Sequence, residues 1–145
     1  MANDEQPDPV VLDHCSPGDR DFLSERIYEY NVATTGIDDG RELVILSRDH
    51  DGVIVAGLYG WTWGGVCEIA SLWVHESLRG QGVGTRLLRA AESEARARGA
   101  RTVELSTHSF QAPDFYVRFG YTQTSRRDDY PAGHAQLLLS KSLDG

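Results

Sequence analysis

Positive charge is scarce in this chain of 145 residues, where 14 lysines and arginines stand against 22 aspartates and glutamates, a net charge of −8. That deficit argues against a broad nucleic-acid surface, whose affinity comes from cations meeting phosphates. It suits a cationic substrate such as an amine. Cysteine is scarcer still, with only Cys15 and Cys67. They lack the paired spacing of a zinc site and read as small packing residues, so no metal is expected. Long hydrophobic runs are absent, the apolar stretches falling far short of the roughly 20 residues a membrane-crossing helix needs. No membrane partner is therefore expected. The opening MANDEQPDPV is acidic and polar, the opposite of a secretory or mitochondrial leader, and the expected location is the cytoplasm.

What is present reads as one domain over residues 1–145, with 1–9 a frayed tail. VVLDHC (10–15) is strand-like, and SPGDRDFLSERIYEYNVAT reads as a helix capped by Ser16, with Pro17 in its first turn and Phe22, Ile27 and Tyr30 close to one face. RELVILSRD and VIVAGLYGWTW form a hairpin around HDG. Tyr59, Trp61 and Trp63 share one strand face, to wall an acceptor site or interface or to pack in the core. VCEIASLWV (66–74) is nearly apolar throughout, as in a strand covered on both faces, with Glu68 the exception. A helix to about Arg98 buries Leu87, Leu88, Ala91 and Ala95, with Glu92–Arg96 and Glu94–Arg98 one turn apart. RTVELSTH is a strand, PDFYVRF a short helix, and YTQTSRR and HAQLLLSKSL are closing strands. The fold class is α/β (α+β), with a mixed, mostly antiparallel sheet flanked by helices.

Between the 66–74 strand and its helix lies SLRGQGVGTRLL, with Gly80, Gly82 and Gly84 inside five positions. A nicotinamide-type G-x-G-x-x-G fails because the last place is Thr85, and a P-loop fails because no Lys-Ser or Lys-Thr pair follows. Arg79-x-x-Gly82-x-Gly84 instead lets ligand oxygens approach bare backbone, where the free amides and dipole of a helix N-terminus hold a pyrophosphate. A ligand-free turn is the other reading of the same glycines.

This R-x-x-G-x-G after a strand ending LWV resembles the coenzyme A signature of the Gcn5-related N-acetyltransferases. About thirty residues later FQAPDFYVRFGY resembles the family's second signature, with Ala112, Phe115, Tyr116, Gly120 and Tyr121 on its places. The FQA entry and the later YPAGH are similar to a bacterial branch of small members. The resemblance spans residues 66–140. It implies the family fold with splayed central strands, here 66–74 and 101–108, and acetyl-coenzyme A as co-substrate between them. It implies hydrogen bonds from the pantetheine arm to Leu72, Trp73 and Val74. The pyrophosphate would rest on residues 79–85, namely Arg79, Gly80, Gln81, Gly82, Val83, Gly84 and Thr85, with Ser109, Ala112 and Phe115 completing the coenzyme site. Ser109 stands where many relatives carry Asn.

Acetyl transfer to an amine needs a polarised thioester carbonyl, an ammonium that loses its proton and a thiolate that gains one. A backbone N–H near Trp73 or Val74 would serve the first. Tyr116, at the family's place for a tyrosine that points at the sulfur, would protonate the thiolate. Glu68 would act as base, directly or through water, and strand alternation would put it on the face of Leu72. The other reading of Glu68 is a salt bridge or a wet edge. His75 and His108 read as surface histidines, with a second base as the other reading, and His134 as bordering the acceptor pocket or stabilising the PAGH turn. The expected activity is direct acetyl transfer to a primary amine of a small molecule. The alternatives are a coenzyme-binding module without turnover and a protein amine as acceptor. Homodimers, common among relatives, are a further expectation.

Overall fold

The computed structural model describes residues 6–144 and divides the chain into two compact units, Met1–Ile37 and Asp38–Gly145. In the first, helix α1 spans Pro17–Thr35. The Ser16 hydroxyl accepts the Asp19 N–H, and Pro17 occupies the first turn, where no N–H is needed. Gly36 ends the helix in the left-handed conformation, with its N–H on Val32 O. Phe22, Ile27 and Tyr30 are exposed, and the Arg26 guanidinium lies 4.7 Å from the Phe22 ring. The strand expected at 10–15 does not form. That run has no ladder partner, and strand propensity without one does not hold a strand. Of the expected tail, residues 6–9 are irregular and exposed, while 1–5 lie outside the described residues.

The second unit is a six-stranded sheet with β1 Arg41–Arg48, β2 Ile54–Trp63, β3 Val66–Val74, β4 Thr102–His108, β5 Thr122–Asp128 and β6 Ala135–Ser142. The spatial order is β1-β2-β3-β4-β6-β5, and every pairing is antiparallel except β3–β4. Helix α2, Val83–Ala97, makes the crossover that a parallel pair requires. Its Leu88, Ala91 and Ala95 are buried against Leu43, Leu58, Cys67, Ile69 and Val103 of the sheet, and Leu87 of the same stripe is buried as well. Glu94–Arg98 closes at 2.8 Å as its spacing predicts. Glu92 does not pair with Arg96. It is buried and takes the chain's sole lysine, Lys141, at 2.7 Å, because a carboxylate inside the α2 stripe needs a partner that reaches it from β6. Burial in the same core raises the Cys67 thiol to about 11.

β3 is not covered on both faces. Cys67 and Ile69 are buried, whereas Glu68, Ala70, Ser71 and Trp73 are exposed. Within Asp38–Gly145, α2 packs on one face of the sheet, and the exposed Glu68, Ser71 and Trp73 mark the other as its open face. Tyr59, Trp61 and Trp63 belong to that open face, since Leu58, Gly60 and Thr62 between them turn inward. They are not part of the core.

Candidate active site

The site begins where the sheet stops being continuous. β3 and β4 pair only from Val66↔Thr102 to Ile69↔Leu105. On β3 the next residue, Ala70, is the extra residue of a bulge, because Gly60 of β2 faces Ile69 while Tyr59 faces Ser71. A bulge bends a strand and increases its twist. Beyond it β3 follows β2 out to Ala56↔Val74, while β4 follows β6 to His108↔Gln136. The two strands part, leaving a cleft of about 950 Å³ between residues 70–74 and 106–107. That volume is of the size that holds a cofactor-like molecule.

The β4-facing edge of β3 is open in this half. His75 N–H donates to Val55 O at 2.8 Å, so strand alternation turns the main-chain groups of Val74 and Leu72 away from β2 and toward the cleft. The main chain of Trp73 points the other way, to β2. Of the three expected strand contacts, Leu72 and Val74 thus offer backbone groups and Trp73 offers its half-exposed indole. An unpaired strand edge of this kind accepts an extended amide-bearing chain as an added strand.

At the mouth of the cleft stands the glycine loop. Gly80 and Gly82 have φ of 75° and 79°, a left-handed backbone that β-carbons disfavour. Gly84 has helical backbone, and a Cβ there would make ordinary contact, 3.5 Å from the Phe115 ring and 3.8 Å from Val74. The first α2 carbonyl bond is Arg86 N–H to Gly82 O, and no side chain caps the helix. The amides of Val83, Gly84 and Thr85 therefore come before the ladder and gather the positive end of the helix. Arg79 and Arg118 also line the cleft. Arg79 Nε donates to Val74 O at 3.1 Å, which ties the loop to the end of β3. Arg79 beside a helix N-terminus at one end suits a diphosphate, and an open strand edge suits the neutral arm behind it. The expected coenzyme fits these residues.

Helix α3, Pro113–Arg118, closes the floor. Tyr116 lines the cleft with its ring edge-on to Phe115 and Tyr121, at 5.1 and 5.8 Å. Its burial raises the phenol above its ordinary value, so the hydroxyl keeps its proton over a wider pH range. Gly80, Gly82, Val83, Gly84, Thr85, Ala112 and Phe115 also line the cleft.

Three expected residues lie elsewhere. The Gln81 side chain donates to Ser77 O at 3.1 Å and braces the turn. The Ser109 hydroxyl accepts the Ala135 N–H at 3.0 Å, which links the end of β4 to β6. Glu68 is exposed on the open face, in a row that runs Glu42, Trp61, Glu68, Glu104 and Ser140 across five strands. It does not share a face with Leu72. The Ala70 bulge falls between them and reverses the alternation.

Sequence reasoning passed over Ser106, Thr107, Phe110 and Gln111, all of which line the cleft. Their signal was the FQA tripeptide together with the register at which β4 leaves β3. Phe110 also leads away from the cleft, with its ring stacked on His108 at 5.2 Å and edge-on to His134 at 5.0 Å. His108 Nδ1 lies 3.0 Å from Tyr130 O, a carbonyl that can only accept, so this nitrogen carries the proton. His75 Nδ1 accepts the Ser77 N–H and caps the turn Glu76–Leu78. No group of metal-ligating side chains occurs among the described residues, and none of their helices is long and apolar enough to cross a membrane.

Known proteins share this fold. Residues 7–121 match the acetyltransferase (GNAT) family. Acetyltransferase Atu2258 of Agrobacterium fabrum is 34% identical over 119 residues, which cover 82% of this chain and 87% of that protein. Blasticidin-S acetyltransferase of Streptomyces morookaense is 40% identical over 96 residues, covering 63% and 68%. The crystal structure of an acetyltransferase from Bacillus cereus superposes with a TM-score of 0.74 at 29% identity, covering 92% of this chain and 97% of that one. The splayed strands, the glycine turn and the tyrosine helix thus belong to a small bacterial-type member of the GNAT family, and the chain is a GNAT acetyltransferase.

Proposed function

We propose that this acetyltransferase moves the acetyl group of acetyl-coenzyme A directly to a primary amine of a small molecule, with both substrates bound together. The observation that carries the reading is the cleft itself. One wall is an unpaired strand edge, the mouth is a helix N-terminus beside Arg79, Arg118 lines the cleft as well, and the floor holds a protonated phenol. Acetyl-coenzyme A supplies an activated acyl group on a thiol that leaves readily.

The residues divide the work by chemistry. The amides of 83–85 and Arg79 take the diphosphate. Leu72 and Val74 bind the arm through the main chain. Leu72 lies nearer the point where the strands part, so its N–H is our choice for the donor that stabilises charge developing on the thioester oxygen. Tyr116 gives a proton to the departing sulfur. An incoming ammonium, which titrates near 10, must lose a proton first, and Glu68 is the proposed base, through water. It stands on the open face beside Trp61 and Glu104, one residue before Ile69, the last position at which the strands pair. Three carboxylates of that row, Glu42, Glu68 and Glu104, favour a cationic acceptor reaching the cleft from this side. A small acceptor also agrees with the relative named for blasticidin S.

The test is thiol release from acetyl-coenzyme A across a panel of small amines, with Tyr116→Phe alongside. The wild type should turn over at least one amine, and its activity should persist up to the ordinary phenol range near pH 10, because burial raises the Tyr116 titration rather than lowering it. Tyr116→Phe should lower kcat about 100-fold with coenzyme affinity unchanged. Equal losses in both would move Tyr116 from protonation to binding. Tight coenzyme binding with no transfer to any amine would replace the proposal with a coenzyme-binding module.

A further inference from the structure

We infer that Gln111 is the side chain that hydrogen-bonds the pantetheine arm in this protein, donating through its amide nitrogen; the inference rests on the coenzyme reading above. The position first expected to do this, Ser109, is committed elsewhere, because its hydroxyl accepts the Ala135 N–H and it does not line the cleft. Gln111 does line it.

The hydrogen bonds decide which end of the Gln111 amide is offered. The His108 backbone N–H lies 2.7 Å from Oε1, and a backbone N–H can only donate, so the atom facing it is the carbonyl oxygen. The Thr107 hydroxyl donates to the same oxygen at 3.2 Å, and Thr107 is itself buried. A third bond, Gln111 N–H to His108 O at 2.9 Å, closes the backbone turn. Both side-chain acceptor directions are thus spent on the protein. The NH2 group, with two donors, is the polar group left for a ligand.

Two donors on a side chain that lines the cleft and is anchored through its oxygen suit a carbonyl oxygen. On the opposite wall, the main chain of Leu72 and Val74 meets the arm from the other side. An arm with amide groups would then be clamped between a strand edge and one locked side chain. Little rotamer freedom is lost on binding, because the protein has already fixed the glutamine.

Gln111→Glu isolates the donor. A carboxylate of the same shape still accepts from Thr107 and His108, so the turn keeps its bonds, but it has nothing to donate. Calorimetry should show acetyl-coenzyme A bound about 10-fold more weakly or worse. Affinity for 3′-phosphoadenosine 5′-diphosphate, the nucleotide end without the arm, should stay at the wild-type value. Gln111→Met should lose a similar factor for the coenzyme and melt lower, since it also drops the two anchoring bonds. Undiminished coenzyme affinity in Gln111→Glu overturns the inference. So does an equal loss for the armless nucleotide, which would mark a charge effect. A wild type that binds no acetyl-coenzyme A defeats the proposed function itself, an outcome visible before any variant is made.

Discussion

The same two strands behave differently in their two halves. From Val66 to Ile69, β3 is zipped to β4, with Cys67 and Val103 side by side and both fully buried. From Ala70 to Val74 it is zipped to β2 alone, and its other edge lines a cleft. The first half gives up its hydrogen-bonding edge to the fold, and the second keeps it for a ligand. One extra residue, Ala70, marks the change. A break in a central pair would ordinarily be a liability, because unpaired edges cost free energy when buried. Here the opening is supported from both sides, by the β2 ladder on one strand and the β6 ladder on the other.

If the halves are functionally separate, changes at the open end should remove binding and spare the fold. Gly82→Val is the largest. Its Cβ meets nothing within 4 Å, so the folded chain has room for it, but φ of 79° strains a β-branched residue and displaces the amides that follow. Acetyl-coenzyme A affinity should fall at least ~100-fold by calorimetry, with the circular dichroism spectrum retained. Wild-type affinity in the folded variant would erase the distinction between the halves.

The converse change belongs in the closed half. Val103→Ala removes two methyl groups from a fully buried position opposite Cys67. It should cost about 2 kcal/mol of stability, read from denaturant midpoints, with the coenzyme dissociation constant within about twofold of wild type. A large loss of affinity there would mean that the two halves act as one unit.

Much of the secondary structure could be read in the residues. Ser16, Pro17 and Gly36 bracket α1, the α2 stripe follows its 3.6-residue period, and β3 spans 66–74 as its apolar run predicts. The open half was legible where chemistry leaves a backbone signature, as at Gly80 and Gly82. It was not legible at Ala70. CEIASL reads equally well as a regular strand, and the bulge comes from register with β2, a long-range property. That is why alternation misplaced Glu68 relative to Leu72. Ser109 was misplaced for a similar reason, since its hydroxyl is claimed by Ala135, a partner 26 residues away. The apolar VVLDHC run misled in the opposite sense, being strand-like locally with no ladder to join.

Amide hydrogen exchange with and without acetyl-coenzyme A tests the central claim most directly. Binding should slow exchange at Leu72 and Val74 and at 83–85, and leave 66–69 and 102–105 unchanged. A folded protein in which the coenzyme protects none of these open-half amides, or protects both halves alike, would contradict the account.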